Sequence, residues 1–284
     1  MRRASRDDGL TAWASRLTET TSMPMMGYVW EENGRIIGNA SLIPFRDNGK
    51  RIFLIANVAT HPDHRRRGIG RALTERVMKQ ARDKKASALW LHVRDDNPGA
   101  VKLYADLGFR EVVRRTTWTA PPDTFLPQPF FSAQGDSDIQ IVSRHSHFWS
   151  RQEEWLRRLY PEAIAWYQPL NFNALRPGLM NWLYLLFVDF NIKQWAAVRG
   201  ADLLATLSWL PYGGRTDSIY AAAGLAPGEV EAQFSEALTR LLIHARRVLS
   251  SRTTLSLDFP AGEMTDAISA AGFQPRRTLV WMKV

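Results

Sequence analysis

Apolar and polar positions follow one another along this chain in an order that occurs twice. The short apolar run Gly27–Trp30 precedes GRIIGNASLIP at Gly34–Pro44, and Gln194–Val198 precedes GADLLATLSWLP at Gly200–Pro211. Further on, Ile52–Val58 matches Ser218–Ala223, Ala72-Leu73-Thr74 matches Ala237-Leu238-Thr239, and Leu89–Val93 matches Leu255–Phe259. Leu107-Gly108-Phe109 then matches Ala271-Gly272-Phe273, and both copies run into a final strand near Trp118 and Trp281. Six features in one order, at offsets of 164–167 residues, mark an internal duplication.

Each copy reads strand, strand, strand, helix, strand, helix, strand. Glu31-Glu32-Asn33-Gly34 carries the Asn-Gly signal of a tight hairpin between the first two strands. Ala72, Leu73, Val77 and Ala81 give Gly70–Lys84 the spacing of a helix with a basic outer face. A shorter helix over Ala100–Leu107 is closed by Gly108. Mixed strands with interleaved helices predict the α/β class, an α+β mixed sheet covered by helices. Four prolines and little periodicity between Thr119 and Asp138 predict a linker. The expected layout is a domain at 1–120, a linker at 121–138 and a second domain at 139–284. The second copy has about fifty-five residues before its hairpin, with the strand-like IQIVSR and an aromatic-rich helix, whereas the first has about twenty-six and no clear opening strand.

Composition narrows the function. The chain has 284 residues, 45% hydrophobic and 23% charged, which excludes a disordered or collagen-like protein and leaves room for two modest domains. It has no Cys, which excludes disulfides, thiolate zinc sites and a cysteine nucleophile. MRRASRDDGL does not read as a signal peptide, and the apolar windows at Trp182–Phe190 and Leu203–Leu210 are too short to span a membrane. The expectation is a soluble cytoplasmic protein without a membrane partner. The net charge of +9 sits wholly in residues 1–120, with 22 Lys+Arg against 13 Asp+Glu, while residues 121–284 hold 15 of each. Such a half attracts anions: nucleic acid, a membrane surface or a phosphate-bearing small molecule. An Arg-rich solvated surface is the alternative.

The motif that decides lies between the third strand and the long helix of the first copy: Val58-Ala59-Thr60-His61-Pro62-Asp63-His64-Arg65-Arg66-Arg67-Gly68-Ile69-Gly70-Arg71. A glycine-containing turn opening a helix leaves backbone N–H groups unpaired at its positive end, which suits a phosphate or pyrophosphate. Gly68 and Gly70 allow close approach of the backbone to an oxyanion. A Walker loop would need Lys and Ser/Thr after the second Gly, where Arg71-Ala72 stands, and a dinucleotide fingerprint would need a third Gly where Leu73 stands.

Arg65-x-x-Gly68-x-Gly70 after a strand ending in Val58 resembles the acetyl-CoA signature of the GNAT (Gcn5-related) N-acetyltransferase superfamily. Leu89–Val93 looks like that family's fifth strand, Asn97-Pro98-Gly99-Ala100 like the loop after it, and Ala100-x-x-Leu103-Tyr104-x-x-x-Gly108-Phe109 like its last helix and turn, so the resemblance covers residues 27–118. It implies two tandem GNAT-like acyl-CoA N-acyltransferase domains, with acetyl-CoA as donor, no metal, and an unidentified amine as acceptor. Nucleic acid is not an expected partner, and the expected state is a monomer whose domains form an intramolecular pseudo-dimer. The resemblance further implies that the fourth and fifth strands splay apart and that the pantetheine arm lies in the gap. Val58, Ala59 and Thr60 would pair with its amides, and the loop Arg65, Arg66, Arg67, Gly68, Ile69, Gly70 and Arg71 would hold the pyrophosphate. Asn97 would bind near the pantetheine, and Tyr104 would be the general acid for the leaving thiolate.

The second copy departs from this pattern. Val230, Gln233 and Ser235 stand where Arg65, Gly68 and Gly70 would, and Ala261 and Ile268 replace Asn97 and Tyr104, while Glu229, Glu231 and Glu236 bring negative charge. It reads as degenerate. The general base is not identified: His61, His64 and His92 are titratable neighbours, and Asp95, Asp96 and Glu75 are candidates by elimination. The aromatic run Phe148, Trp149, Trp155, Tyr160, Trp166, Tyr167, Phe172, Trp182, Tyr184, Phe187 is either an interdomain core or a roof over the acceptor. The function expected is N-acetyl transfer to a primary amine by direct attack in a ternary complex. The alternative is a non-catalytic CoA-binding sensor or scaffold.

Overall fold

The computed structural model describes residues 26–122, 138–167, 170, 172–178, 192–211, 216–224, 231–249 and 253–284. The first copy contributes β1 (Met26–Glu32), β2 (Arg35–Asp47), β3 (Lys50–Thr60), α1 (Ile69–Asp83), β4 (Ala88–Arg94), α2 (Pro98–Asp106) and β5 (Arg110–Ala120). The second contributes β6 (Ile139–Ser143), α3 (Trp149–Leu159), α4 (Phe172–Leu175), β7 (Lys193–Arg199), β8 (Asp202–Leu210), β9 (Thr216–Ala223), α5 (Glu231–Leu249), β10 (Thr254–Pro260), α6 (Thr265–Ala270) and β11 (Gln274–Lys283). The α/β class and the repeated order of elements are those read from the sequence.

Two compact units form, and each has its own core. The first comprises the chain through Arg114 together with Leu279–Val284, and the second comprises Arg115–Thr278. In the first unit β1, β2 and β3 are antiparallel neighbours, β3 pairs parallel with β4, and β4 pairs antiparallel with β11. In the second, β6, β7, β8 and β9 are antiparallel neighbours, β9 pairs parallel with β10, and β10 pairs antiparallel with β5. The same topology is therefore built twice, with one exchange. Each unit takes its last strand segment from the other copy's sequence. Val280 and Met282 are buried with Leu73, Leu91 and Tyr104, while Trp118 and Ala120 are buried with Leu238 and Leu257. The layout into residues 1–120 and 139–284 places each final strand in its own half. The structure differs because both strands carry the same pattern and fit equivalent slots, a form of domain swapping within one chain. Residues 123–137, most of the expected linker, lie outside the described residues, as do residues 1–25.

Local chemistry sets the elements of the first unit. The β1–β2 turn has φ of 51° at Asn33 and 74° at Gly34, which only a twisted two-residue hairpin turn requires. Asn48 and Gly49, at 46° and 78°, make a second such turn between β2 and β3. Helix α1 buries Ile69, Leu73, Val77, Met78 and Ala81 against the sheet. It lies close to β2 at Gly38, where an added Cβ would stand 2.9 Å from Ile69 Cγ2, so glycine is needed for the helix start to sit low on the strands. No helix among the described residues is long and apolar enough to cross a membrane.

Met282→Ala should destabilise the first unit by about 2–5 kcal/mol, the usual cost of truncating a buried methionine. Hydrogen exchange should localise the loss to β3 and β4 even though Met282 is encoded at the far end of the chain. Loss confined to β9 and β10 would contradict the exchange of strands.

Candidate active site

Strands β3 and β4 begin as parallel partners and then part. Their paired residues run from Ile52 with Ala88 to Ile55 with Leu91, yet β3 continues to Thr60 and β4 to Arg94. A β-bulge starts the divergence. Opposite β2, Ala56 pairs with Ser41 and Ala59 with Asn39, so β3 holds one residue more. The extra turn of backbone is at Asn57, whose φ is 53° and whose carbonyl accepts from Asn39 Nδ2 at 2.6 Å. Bulges of this kind re-aim a strand. β4 meanwhile stays with β11 through Trp281, Val280 and Leu279. The β4-facing backbone of Asn57, Val58, Ala59 and Thr60 is thus left without a ladder partner.

The chain then forms the turn before α1. His61 N–H donates to Ile37 O at 2.7 Å, Pro62–His64 make one 3-10 turn, and Arg66 and Gly68 adopt left-handed φ of 63° and 79°. The first helical bond runs from Ala72 N–H to Gly68 O at 3.0 Å. Among the described residues, no backbone carbonyl accepts from the N–H groups of Arg66, Arg67, Gly68, Ile69, Gly70 or Arg71. Six consecutive donors without a backbone acceptor at the positive end of a fifteen-residue helix have the polarity that suits an anion. A Cβ on Gly70 would meet only ordinary contacts, Thr60 Oγ1 and Leu103 Cδ2 at 3.8 Å. Nothing in the chain itself therefore demands glycine there. Its bareness matters to whatever approaches the donors.

The arginines of this turn have distinct jobs. Arg65 Nε donates to Thr60 O at 3.4 Å, bracing the strand end. Arg67 forms a two-pronged pair with Glu32 at 2.9 and 2.7 Å and donates to His64 Nδ1 at 2.7 Å. The hydrogen bonds from Arg67 hold the Glu32 carboxyl below its ordinary range, and the carboxylate offsets the Arg67 charge. Arg71 reaches Asp106 at 3.5 Å and Glu75 at 3.9 Å. Among the described residues only Arg66 of these four shows no side-chain partner, and it is exposed. The pairing of Arg67 with Glu32 carries no local sequence signal, since it joins a hairpin tip to a loop 35 residues away.

Asn97 and Tyr104 flank the opening on α2. Asn97 caps the helix, its Oδ1 accepting from Ala100 N–H at 3.1 Å, which leaves its Nδ2 donors for another partner. Tyr104 is 7% exposed, lies edge to face with Phe109 at 6.2 Å, and has no hydrogen-bond partner for its hydroxyl among the described residues. Burial pushes its phenol up to about 12, so it is protonated at neutral pH, the state from which a general acid starts. Gly70 stands beside Thr60 and Leu103, and Val58, Leu103 and Tyr104 pack in one hydrophobic cluster.

His92 occupies the first β4 position past the last β3 pair. Leu91 and Val93 are packed with Tyr104, so strand alternation puts His92 on the other face, where its ring lies 4.9 Å from Trp281. Of the other candidates, Glu75 and Asp95 are exposed, Asp96 is bound to Arg94, and His61 caps the 3-10 turn. In the second unit Gln233 accepts from Arg199 at 2.9 Å, Glu236 pairs with Arg240, and Ile268 is fully buried. Val230 and Glu229 lie outside the described residues, as do Trp182, Tyr184 and Phe187. No group of three or more side chains able to hold a metal occurs among the described residues.

Residues 3–109 match the family model described as acetyltransferase (GNAT) family. The chain is 39% identical over 67 residues to the [ribosomal protein bS18]-alanine N-acetyltransferase of Escherichia coli strain K12, covering 24% of this chain and 45% of that protein. It is 33% identical over 103 residues to the L-amino acid N-acyltransferase MnaT of the same strain, covering 36% and 58%. The chain thus spans about half the length of these curated relatives. A GCN5-related N-acetyltransferase from Sphaerobacter thermophilus superposes with a TM-score of 0.55 at 14% identity, over 99% of this chain and 85% of that one. The match to the GNAT acetyltransferase family thus lies in the first copy, over residues 3–109, and the chain as a whole shares the fold of that GCN5-related N-acetyltransferase.

Tyr104 gives a titration to check. Its folded value near 12 exceeds the ordinary 10.0, so its favourable contribution is complete below pH 10 and is lost as pH rises toward 12. The difference in phenolate absorbance between wild type and Tyr104→Phe should appear only near pH 12. Ionisation near 10 would show that the ring is wetter than described.

Proposed function

We propose that the first unit transfers an acetyl group from acetyl-CoA to a primary amine, by direct attack within a ternary complex. The observation that carries this reading is the junction of an unpaired β3 edge with six unpaired N–H donors. A long ligand with amides at one end and a diphosphate at the other matches both. Val58 and Thr60 offer backbone groups to pantetheine amides as an added strand would. Arg66, Gly68, Ile69 and Gly70 offer N–H groups to the pyrophosphate, and Asn97 offers Nδ2 as a further donor.

The chemistry follows from the two faces of the gap. Tyr104, protonated on one face, gives its proton to the departing sulfur as the C–S bond breaks. A backbone N–H near Val58 meets the charge that develops on the carbonyl oxygen. His92, on the opposite face, takes the proton that the attacking amine must lose. The two curated relatives are named for an alanine terminus and for amino acids. An α-amino group is therefore the first acceptor class to assay.

Release of free CoA with a panel of α-amines tests the reading, and binding without release would make the unit a sensor instead. Tyr104→Phe should lower kcat by about a hundredfold with acetyl-CoA affinity kept, and His92→Gln should do likewise. Unchanged turnover would remove that residue from the mechanism. Gly70→Glu should abolish acetyl-CoA binding by calorimetry, and retained binding would contradict the cradle.

A further inference from the structure

The second unit repeats the divergence of strands, but its own side chains fill the gap. β9 pairs with β10 from Thr216 with Thr254 to Ile219 with Leu257, and β9 then continues to Ala223 without that partner. Ile219 and Leu257 are thus the counterparts of Ile55 and Leu91. In an antiparallel partner of β8, both backbone groups of one residue point to the same side. Those of Ala221 point into the gap, and both are taken by one atom. The Tyr160 hydroxyl accepts from Ala221 N–H at 3.2 Å and donates to Ala221 O at 3.2 Å. Two residues on, Ala223 O accepts from Arg158 at 3.2 Å.

This insertion is locked in place. Tyr160 follows the last residue of α3 and its N–H donates to Leu156 O at 2.8 Å. Arg115, 1% exposed, donates to Leu159 O at 2.6 Å and to Asp258 O at 2.8 Å and pairs with the Asp258 carboxylate. Its guanidinium lies 5.0 Å from the Tyr160 ring centre, and Tyr220 packs on the ring at 5.4 Å. At the end of β9, the Phe234 ring from α5 sits where any side chain on residue 224 would stand, 2.5 Å from an added Cβ. In the first unit the counterparts are Asn57, whose carbonyl accepts from Asn39 of the neighbouring strand β2, and Ala59, whose backbone no side chain among the described residues binds.

We infer that the opened strand edge of the second unit is permanently occupied by the chain's own Tyr160 and Arg158, which leaves the protein a single acyl-CoA site, in the first unit. Tyr160 takes the hydrogen bonds that ligand amides would make, so loss of the cradle and closure of the gap act together. The count of one site rests on the acetyl-CoA reading above, whereas the plug itself does not.

Two measurements on the full chain separate them. In Tyr160→Phe, which keeps the ring and removes the hydroxyl, the Ala221 amide should exchange its hydrogen about tenfold faster, as expected for the loss of a buried bond. Unchanged exchange there would overturn the plug. Calorimetry with acetyl-CoA should give one site per wild-type chain and none in Gly70→Glu. Two sites, or one surviving in Gly70→Glu, would overturn the inference. No binding in wild type would sink the donor assignment, with the Ala221 exchange still deciding the plug.

Discussion

Every main-chain N–H and C=O must find a partner, and strands that set out side by side and then diverge strand a row of them. Both copies of this fold do so, after Ile55 and after Ile219. The two units differ in how that debt of hydrogen bonds is met. In one, the edge stays open beside a helix terminus rich in free donors. In the other, a tyrosine and an arginine from the preceding helix close it. One constraint, met in two ways, separates the two units.

The rest of the first unit holds this opening in shape. The bulge at Asn57 turns β3 away from β4, and Asn39 fixes it from the neighbouring strand. Gly38 lets α1 settle close to the sheet, which brings its first turn level with Thr60. Arg65 braces the strand end, and Arg67 ties the loop to the hairpin tip through Glu32. Of the loop's four arginines, Arg67 and Arg71 thus face carboxylates of the chain itself. The donors that remain are mostly main-chain, and they owe nothing to side-chain identity.

Much of this was legible in the chain before folding. The duplication, the Asn33-Gly34 turn, the two helices and the glycine turn follow from local periodicity and backbone chemistry, which short windows record well. Asn48-Gly49 carries the same turn signal and was there to be read. Other features depend on distance. The exchange of last strands is invisible because β5 and β11 share one pattern and suit either slot. The bulge at Asn57 leaves no periodic mark. Tyr160 sits in a run of ten aromatics, and nothing in that run distinguishes the ring that enters the gap from those that pack the core.

The borrowed strands bind the fate of the two copies together. A duplicated gene is ordinarily free to discard one of its halves, but here Leu279–Val284 complete the sheet of the first unit. Erosion of the second copy would take the first unit's last strand with it. Selection on the first unit therefore reaches through the whole chain, preserving a second fold whose diverging strand edge is held by its own Tyr160.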